Sequence, residues 1–302
     1  MTGAILAPGS QRGAELMQQA AKGRSLWDDA ARRLLRNRAA VAGMIVLAVL
    51  VVAAIVGPHV TPYAYDEINK NDVWLPPLVE GHLLGSDSLG RDLLARLLMG
   101  LRVSLAIGLV ATFVSLVIGV AWGAVAGFVG GRLDEAMMRV VDVLYSLPFI
   151  FFVILLMVTF GSNFILIFVA IGAVEWLTMS RIVRGQTLTL KHKEFVEAAR
   201  AAGLGQGAII FRHIVPNLLG PVVVYVTLTI PAVILAESFL SFLGLGVQPP
   251  MASLGTLIAN GAQDMELAWW LLVFPSVLMV ITLMSFNFIG DGLRDAIDPK
   301  DR

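Results

Sequence analysis

Three carboxylates, Asp142, Glu175 and Glu237, lie within or beside long apolar stretches. Burying an ionisable group in hydrocarbon is costly, so each is a candidate for function. Asp142 and Glu175 fall toward one end of their stretches and Glu237 toward the other, where interfacial solvation accounts for them as well as a substrate role does. Glu237 is retained as a possible pathway residue. The four histidines, His59, His82, His192 and His213, sit at the edges of apolar stretches or between them. That argues against a histidine proton relay and leaves an intramembrane serine nucleophile, the mark of a membrane protease, without a base at its depth. No His-Glu-x-x-His pattern offers a zinc site, and no lysine follows a glycine, so a phosphate-cradling loop is missing too. Without cysteine there is no disulfide, thiolate metal site or cysteine nucleophile. These residues lead us to expect no enzyme chemistry, resident metal or cofactor.

The elements that must position such groups belong to a membrane protein. Hydrophobic residues make up 57% of the 302-residue chain and charged residues 15%, with mean hydropathy +0.81, a composition that demands a bilayer as solvent. The zero net charge removes any argument for a nucleic-acid partner. A helix needs about 20 apolar residues to cross the hydrocarbon core. Six stretches qualify: Ala39 to Gly57, Val103 to Phe128, Val140 to Phe160, Asn163 to Ser180, Leu218 to Leu243 and Ala268 to Ile289. The expected fold is all-α and polytopic. Its parts are a tail at 1–38, a first span at 39–57, an outer segment at 58–102, a membrane core at 103–289 with a cytoplasmic loop at 181–216, and a tail at 290–302. Lysine and arginine concentrate in the first tail, the 130–139 turn, the 181–216 loop and the C-terminus. The positive-inside rule therefore places both termini in the cytoplasm.

Several local features carry further expectations. Ala111, Ser115, Gly119, Gly123, Gly127 and Gly131 recur every four residues, a ridge that lets a second helix approach closely and that reads first as bundle packing. Pro148, Pro221, Pro231 and Pro275 fall inside spans and tend to kink them. Gly85-Ser86-Asp87-Ser88 before Leu89, Leu93, Leu94, Leu97 and Leu98 predicts a cap followed by a short interfacial helix leading into the second span. The stretch between spans five and six is uncharged until Asp264, so it is expected to pack against protein or re-enter the membrane.

The 181–216 loop holds the clearest pattern. Glu194 to Gly203 predicts a short helix, because alanine is the strongest helix former and glycine commonly follows a helix end. Phe195, Ala198, Ala199 and Ala202 share helical spacing on one face. A second helical stretch is expected over 206–215, with Pro216 at the start of the fifth span. A smooth alanine face with one aromatic anchor suits docking into another protein's cleft, and equally suits a helix lying on its own bundle.

Glu197-Ala198-Ala199, three residues, then Gly203 resembles the EAA motif of ATP-binding-cassette importer permeases, with a loose match at the close, where His213 and Val215 stand before Pro216. The resemblance runs over nearly the whole chain. Gly85 to Asp92, Arg181 to Thr187, Ser241 to Gly246, and Phe288 to Asp295 followed by Asp298-Pro299 resemble the peptide and nickel group of that family. Arg24 to Trp27, Asn37 to Val41 and the close at Asp298 to Arg302 resemble its oligopeptide importers most. The resemblance implies a permease subunit in a bacterial inner membrane, paired with a second permease, two ATPase subunits and a periplasmic peptide-binding protein. Glu197, Ala198, Ala199 and Gly203 would then couple it to an ATPase subunit. Dipeptide or nickel as cargo, and an ATP-independent secondary transporter or channel, are the alternatives.

Overall fold

The computed structural model describes residues 26–79, 81–160 and 164–297, and among them the only β-structure is two isolated bridges. The tail before residue 26 and the close at 298–302 lie outside the described residues.

Part of the N-terminal tail is helical: α1 (Leu26–Arg36) precedes α2 (Arg38–Val60). Asn37 separates them, its carboxamide oxygen accepting hydrogen bonds from Ala39 N and Ala40 N at 3.1 and 3.2 Å, the usual way an asparagine starts a helix. Ala40, Gly43 and Ala54 of α2 face protein, whereas Ile45, Val49, Val52 and Ile55 are exposed toward lipid.

The second helix, α3 (Leu93–Val129), runs 37 residues, about 55 Å at the α-helical rise and well beyond the bilayer core. The separate interfacial helix expected after Gly85 to Ser88 is not formed. Those residues make a turn in which Asp87 Oδ1 accepts from Leu89 N and Arg91 N. The helix begins only at Asp92, whose Oδ1 accepts from Ala95 N at 2.8 Å. Arg96 and Arg102, both in the expected outer segment at 58–102, therefore ride on the same helix as the second span.

The expected span at Val140 to Phe160 is broken into α4 (Gly131–Ser146) and α5 (Phe149–Phe160). Leu147 is extended at φ −77°, ψ 128°, because the ring of Pro148 disfavours helix at the residue before it. Next, α6 (Phe164–Leu190) continues ten residues past the expected span into the 181–216 loop. After it come α7 (Glu194–Ala201), α8 (Gln206–Ile209) and a π-helical turn at Ile210–Ile214, which runs directly into α9 (Val215–Phe242) with Pro216 in its first turn. The stretch before the last span holds α10 (Leu254–Gln263), packed among α3, α9 and α11 (Trp270–Ile297). Among the described residues, four helical stretches, namely α2, α3, the run from Gln206 to Phe242 and α11, are long and apolar enough to cross a bilayer, and a fifth crossing is counted if α4 and α5 act as one broken span. The remaining expected span falls on the 27-residue α6.

The small-residue ridge of α3 packs on α6. A Cβ added at Gly123 would lie 2.3 Å from Ser180 O, and one at Gly127 would lie 2.9 Å from Arg184 O. Gly119 meets Met179 in the same way. Gly131 does not belong to this ridge: it opens α4 at φ +58° with nothing near its missing side chain.

At the α3 start, His82 is buried between two carboxylates, with Nδ1 2.8 Å from Asp92 Oδ2 and Nε2 3.4 Å from Asp72 Oδ2, and with Tyr63 stacked on its ring. Burial pushes the imidazole pKa down, but hydrogen bonds to Asp92 and Asp72, together with their charges, outweigh it and leave the value above 6.5.

Gly123→Ala should lower the melting temperature of the purified chain, because Ser180 O belongs to backbone that cannot swing aside. Gly185→Ala, at a site where nothing lies within 4 Å, should leave the stability unchanged or raise it by up to about 1 kcal/mol. For His82, a folded-state pKa above the unfolded value means that stabilisation is complete below about pH 6.5 and is lost as pH rises through the raised value. Hydrogen-exchange protection of the 72–95 segment should therefore fall with rising pH, and His82→Gln should flatten that dependence.

Candidate functional site

Helix α7 is eight residues long and carries Glu194 and Glu197 in its first turn and Arg200 in its last. Both placements complement the helix dipole. It stops where Ala202 N donates to Ala198 O and Gly203 takes φ +79°, a left-handed conformation that favours glycine. An added Cβ at Gly203 would meet nothing within 4 Å. Backbone conformation, rather than close packing, accounts for glycine there.

The predicted helix is present, but its face is turned from the expected one. Val196 (0% exposed) and Ala199 (7%) are buried with Phe128, Ile209, Ile210 and Ile214. Phe195 is 36% exposed, and Glu197, Ala198, Ala201 and Ala202 also face outward. The expected grouping of Phe195 with Ala198, Ala199 and Ala202 is therefore split. Val196 and Ala199 hold the helix to its own bundle, while Phe195, Ala198 and Ala202 are presented outward. One side of the helix lies on its own bundle, and the other is exposed. The i, i+3 spacing of Val196 and Ala199 was visible in the sequence but was masked by the surrounding alanines.

The helix stands on a braced base. Arg184 of α6 makes a bidentate pair with Asp134 of α4, Nε to Oδ1 at 2.5 Å and Nη2 to Oδ2 at 2.7 Å. Lys191 Nζ donates to Gly127 O at 3.1 Å, tying the approach to α7 to the end of α3. The Arg200 guanidinium lies 5.3 Å from the centroid of the Phe128 ring, within range of a cation–π contact. Asp142 pairs with Arg181 at 2.9 Å, but both are well exposed, so the pair adds little. Glu175 is half-buried on α6.

Above this base, α6, α9 and α11 border a cavity of about 540 Å³ that includes Gln186, Tyr225, Leu228 and Arg294. Glu237 lies toward the opposite end of the bundle, at 0% exposed. Its Oε1 accepts hydrogen bonds from the hydroxyls of Ser241 and Ser253, each at 2.6 Å. Ser253 also caps α10 by accepting from Thr256 N, and Leu254 N donates to Ser104 Oγ of α3. Glu237 thus pins the start of α10 to α9. Asp142, Glu175, Glu237 and α7 are not brought together into one site.

Residues 119–302 match the binding-protein-dependent transport system inner membrane component family, and residues 25–77 match the N-terminal transmembrane domain of oligopeptide transport permease C. The oligopeptide transport system permease protein OppC of Haemophilus influenzae is 52% identical over 98% of each chain. That of Escherichia coli K12 is 54% identical over 93% of each. The dipeptide transport system permease protein DppC of Bacillus subtilis is 44% identical over 92% of this chain and 87% of its own. Among solved structures, an inward-facing MetNI methionine ABC transporter chain matches with a TM-score of 0.55 at 21% identity, over 67% of this chain and 96% of its own, a likeness of fold. A helical membrane bundle with a braced, outward-facing helix at one end, matched over more than half its length, belongs to the family of inner membrane components of binding-protein-dependent transport systems.

Proposed function

We propose that this chain is one of two permease subunits of an ATP-driven oligopeptide importer and that α7 is its contact with an ATPase subunit. The observation that carries the reading is the two-sidedness of α7. One side is buried in the chain's own core through Val196 and Ala199, and the other presents Phe195, Glu197, Ala198 and Ala202 with no covering element among the described residues. A helix fixed on one side and smooth on the other can transmit a push without bending. The chain has no phosphate-cradling sequence of its own, so ATP would be bound by a partner.

The remaining partners follow from the same reading. A second permease would complete the pathway beside the cavity among α6, α9 and α11, and a periplasmic binding protein would deliver the peptide to the opposite end. The basic residues near α7 and in the N-terminal tail support a cytoplasmic position for this end and for both termini of an inner membrane protein. Oligopeptide cargo is supported by the match of residues 25–77 to the N-terminal domain of oligopeptide transport permease C and by the 52–54% identity to two OppC proteins over nearly the whole chain. An ATP-independent transporter would leave the exposed side of α7 without a use.

Ala198 and Ala199 separate docking from folding. Ala198→Trp should leave membrane insertion and melting temperature unchanged while cutting ATP-driven peptide uptake more than about tenfold and weakening co-purification of the ATPase subunit. Ala199→Leu should instead destabilise the chain by about 1–3 kcal/mol, because the added bulk enters its own core. Normal uptake and normal co-purification in Ala198→Trp would refute the docking assignment.

A further inference from the structure

At the end of the bundle opposite α7, two arginines share one carboxylate. Asp87 Oδ2 lies 2.8 Å from Arg91 Nε and 3.4 Å from Arg96 Nε. Its Oδ1 is occupied by the amides of Leu89 and Arg91. One positive charge is left over. Arg96 is 3% exposed, and its Nη1 has no hydrogen-bond partner among the described residues. A buried guanidinium nitrogen without an acceptor is costly.

The arginines border two cavities. The smaller, about 40 Å³, also contains Asp87 and Asp264 and so has its own negative charge, although Asp264 forms no ion pair with either arginine among the described residues. The larger, about 160 Å³, is bordered by Arg91, Arg96, Gln248, Thr256 and Asn260 and by no carboxylate. Its wall is built rather than incidental. Gly246 backs onto Ser241 so closely that a Cβ would collide with that side chain, Gly244 takes φ +79°, and Gln248 Nε2 donates to Gly246 O at 2.9 Å, bracing the turn. Glu237 stands behind Ser241 with Oε1 already accepting two hydroxyls.

We propose that this larger cavity receives the terminal carboxylate of a peptide entering from the outer side, with Arg91 and Arg96 as the cationic partners. The inference rests on the peptide cargo and the orientation proposed above. About 160 Å³ is some five times the share of one water in the liquid. That is room for a carboxylate with its Cα and a small side chain, and too little for a peptide's length. Oligopeptides differ in their side chains but share a C-terminal carboxylate, so a site that reads this end accepts varied cargo. Arginine's forked donors match a carboxylate bidentately, and the neighbouring side-chain amides of Gln248 and Asn260 suit the peptide group that adjoins it.

The test uses the complete importer in liposomes, comparing ATP-driven uptake of a five-residue peptide with that of its C-terminal amide. Each uptake is normalised to the separately measured affinity of the binding protein. The unsubstituted chain should prefer the free acid by about tenfold, the loss expected for one charge-assisted contact. Arg91→Gln should remove the preference, bringing the ratio of acid to amide uptake from about tenfold to about one. Arg96→Gln should do the same, and the more exposed Arg91 keeps the test open should Arg96→Gln fail to fold. An acid preference that persists in Arg91→Gln overturns the proposal. So does an equal loss for acid and amide, which would mean that the arginines hold the fold or an acidic side chain of a partner protein. If neither peptide is taken up by the unsubstituted importer, the peptide reading itself has failed.

Discussion

The close approach of α3 to α6 is the constraint on which the rest of the structure depends. In lipid no hydrophobic force drives helices together, so association depends on surfaces that let backbones come near. The glycines at 119, 123 and 127 provide one, with Gly123 leaving less than a methyl group's clearance to Ser180 O. This contact fixes where α6 leaves the bundle and hence where α7 begins. It also brings Arg184 within reach of Asp134 and Lys191 within reach of Gly127 O. The polar braces around α7 are consequences of an apolar fit farther along the same two helices.

The opposite end is organised by a polar interaction instead. The stretch after α9 would carry unsatisfied backbone groups if it lay loosely against lipid. It is held by Glu237, which gathers the Ser241 and Ser253 hydroxyls, and by Ser104, which takes the amide of Leu254. With α10 seated this way, the turn at 244–252 forms one wall of a cavity whose other wall is the arginine-bearing start of α3.

The features legible in the sequence were those set by composition or local spacing. The first span, the four-residue glycine ridge, the short helix ending before Gly203 and the helical run into Pro216 all depend on near neighbours. Where long-range packing decides, the sequence was less informative. Nothing local told that α6 would outrun its apolar stretch to Leu190, since the extra turns are held by Asp134 and Gly127 from other helices. The rotation of α7 was likewise set by Val196 finding a pocket lined by Phe128, Ile209 and Ile214. The break at Leu147-Pro148 has a local signal in Pro148, whose ring disfavours helix at the residue before it. Arg96 lies outside the expected second span, and Asp87, nine residues earlier, makes its burial in α3 tolerable.

Besides α3, one further element joins these two ends. The helical run from Gln206 to Phe242 begins in the core that seats Val196 and Ala199 and ends at Glu237 and Ser241, beside the arginine-bordered cavity. Ile209, Ile210, Ile214 and Leu218 lock its first part to α7, and Ser253 locks its last part to α10. A displacement of α7 therefore cannot be absorbed locally. It must move the run as a body or bend it within. Pro221 and Pro231 lie inside the run, and each removes one backbone hydrogen bond. They are the places where the helix can yield at least cost. A transporter that alternates between two states needs a stiff link with defined points of compliance, and this helix has both.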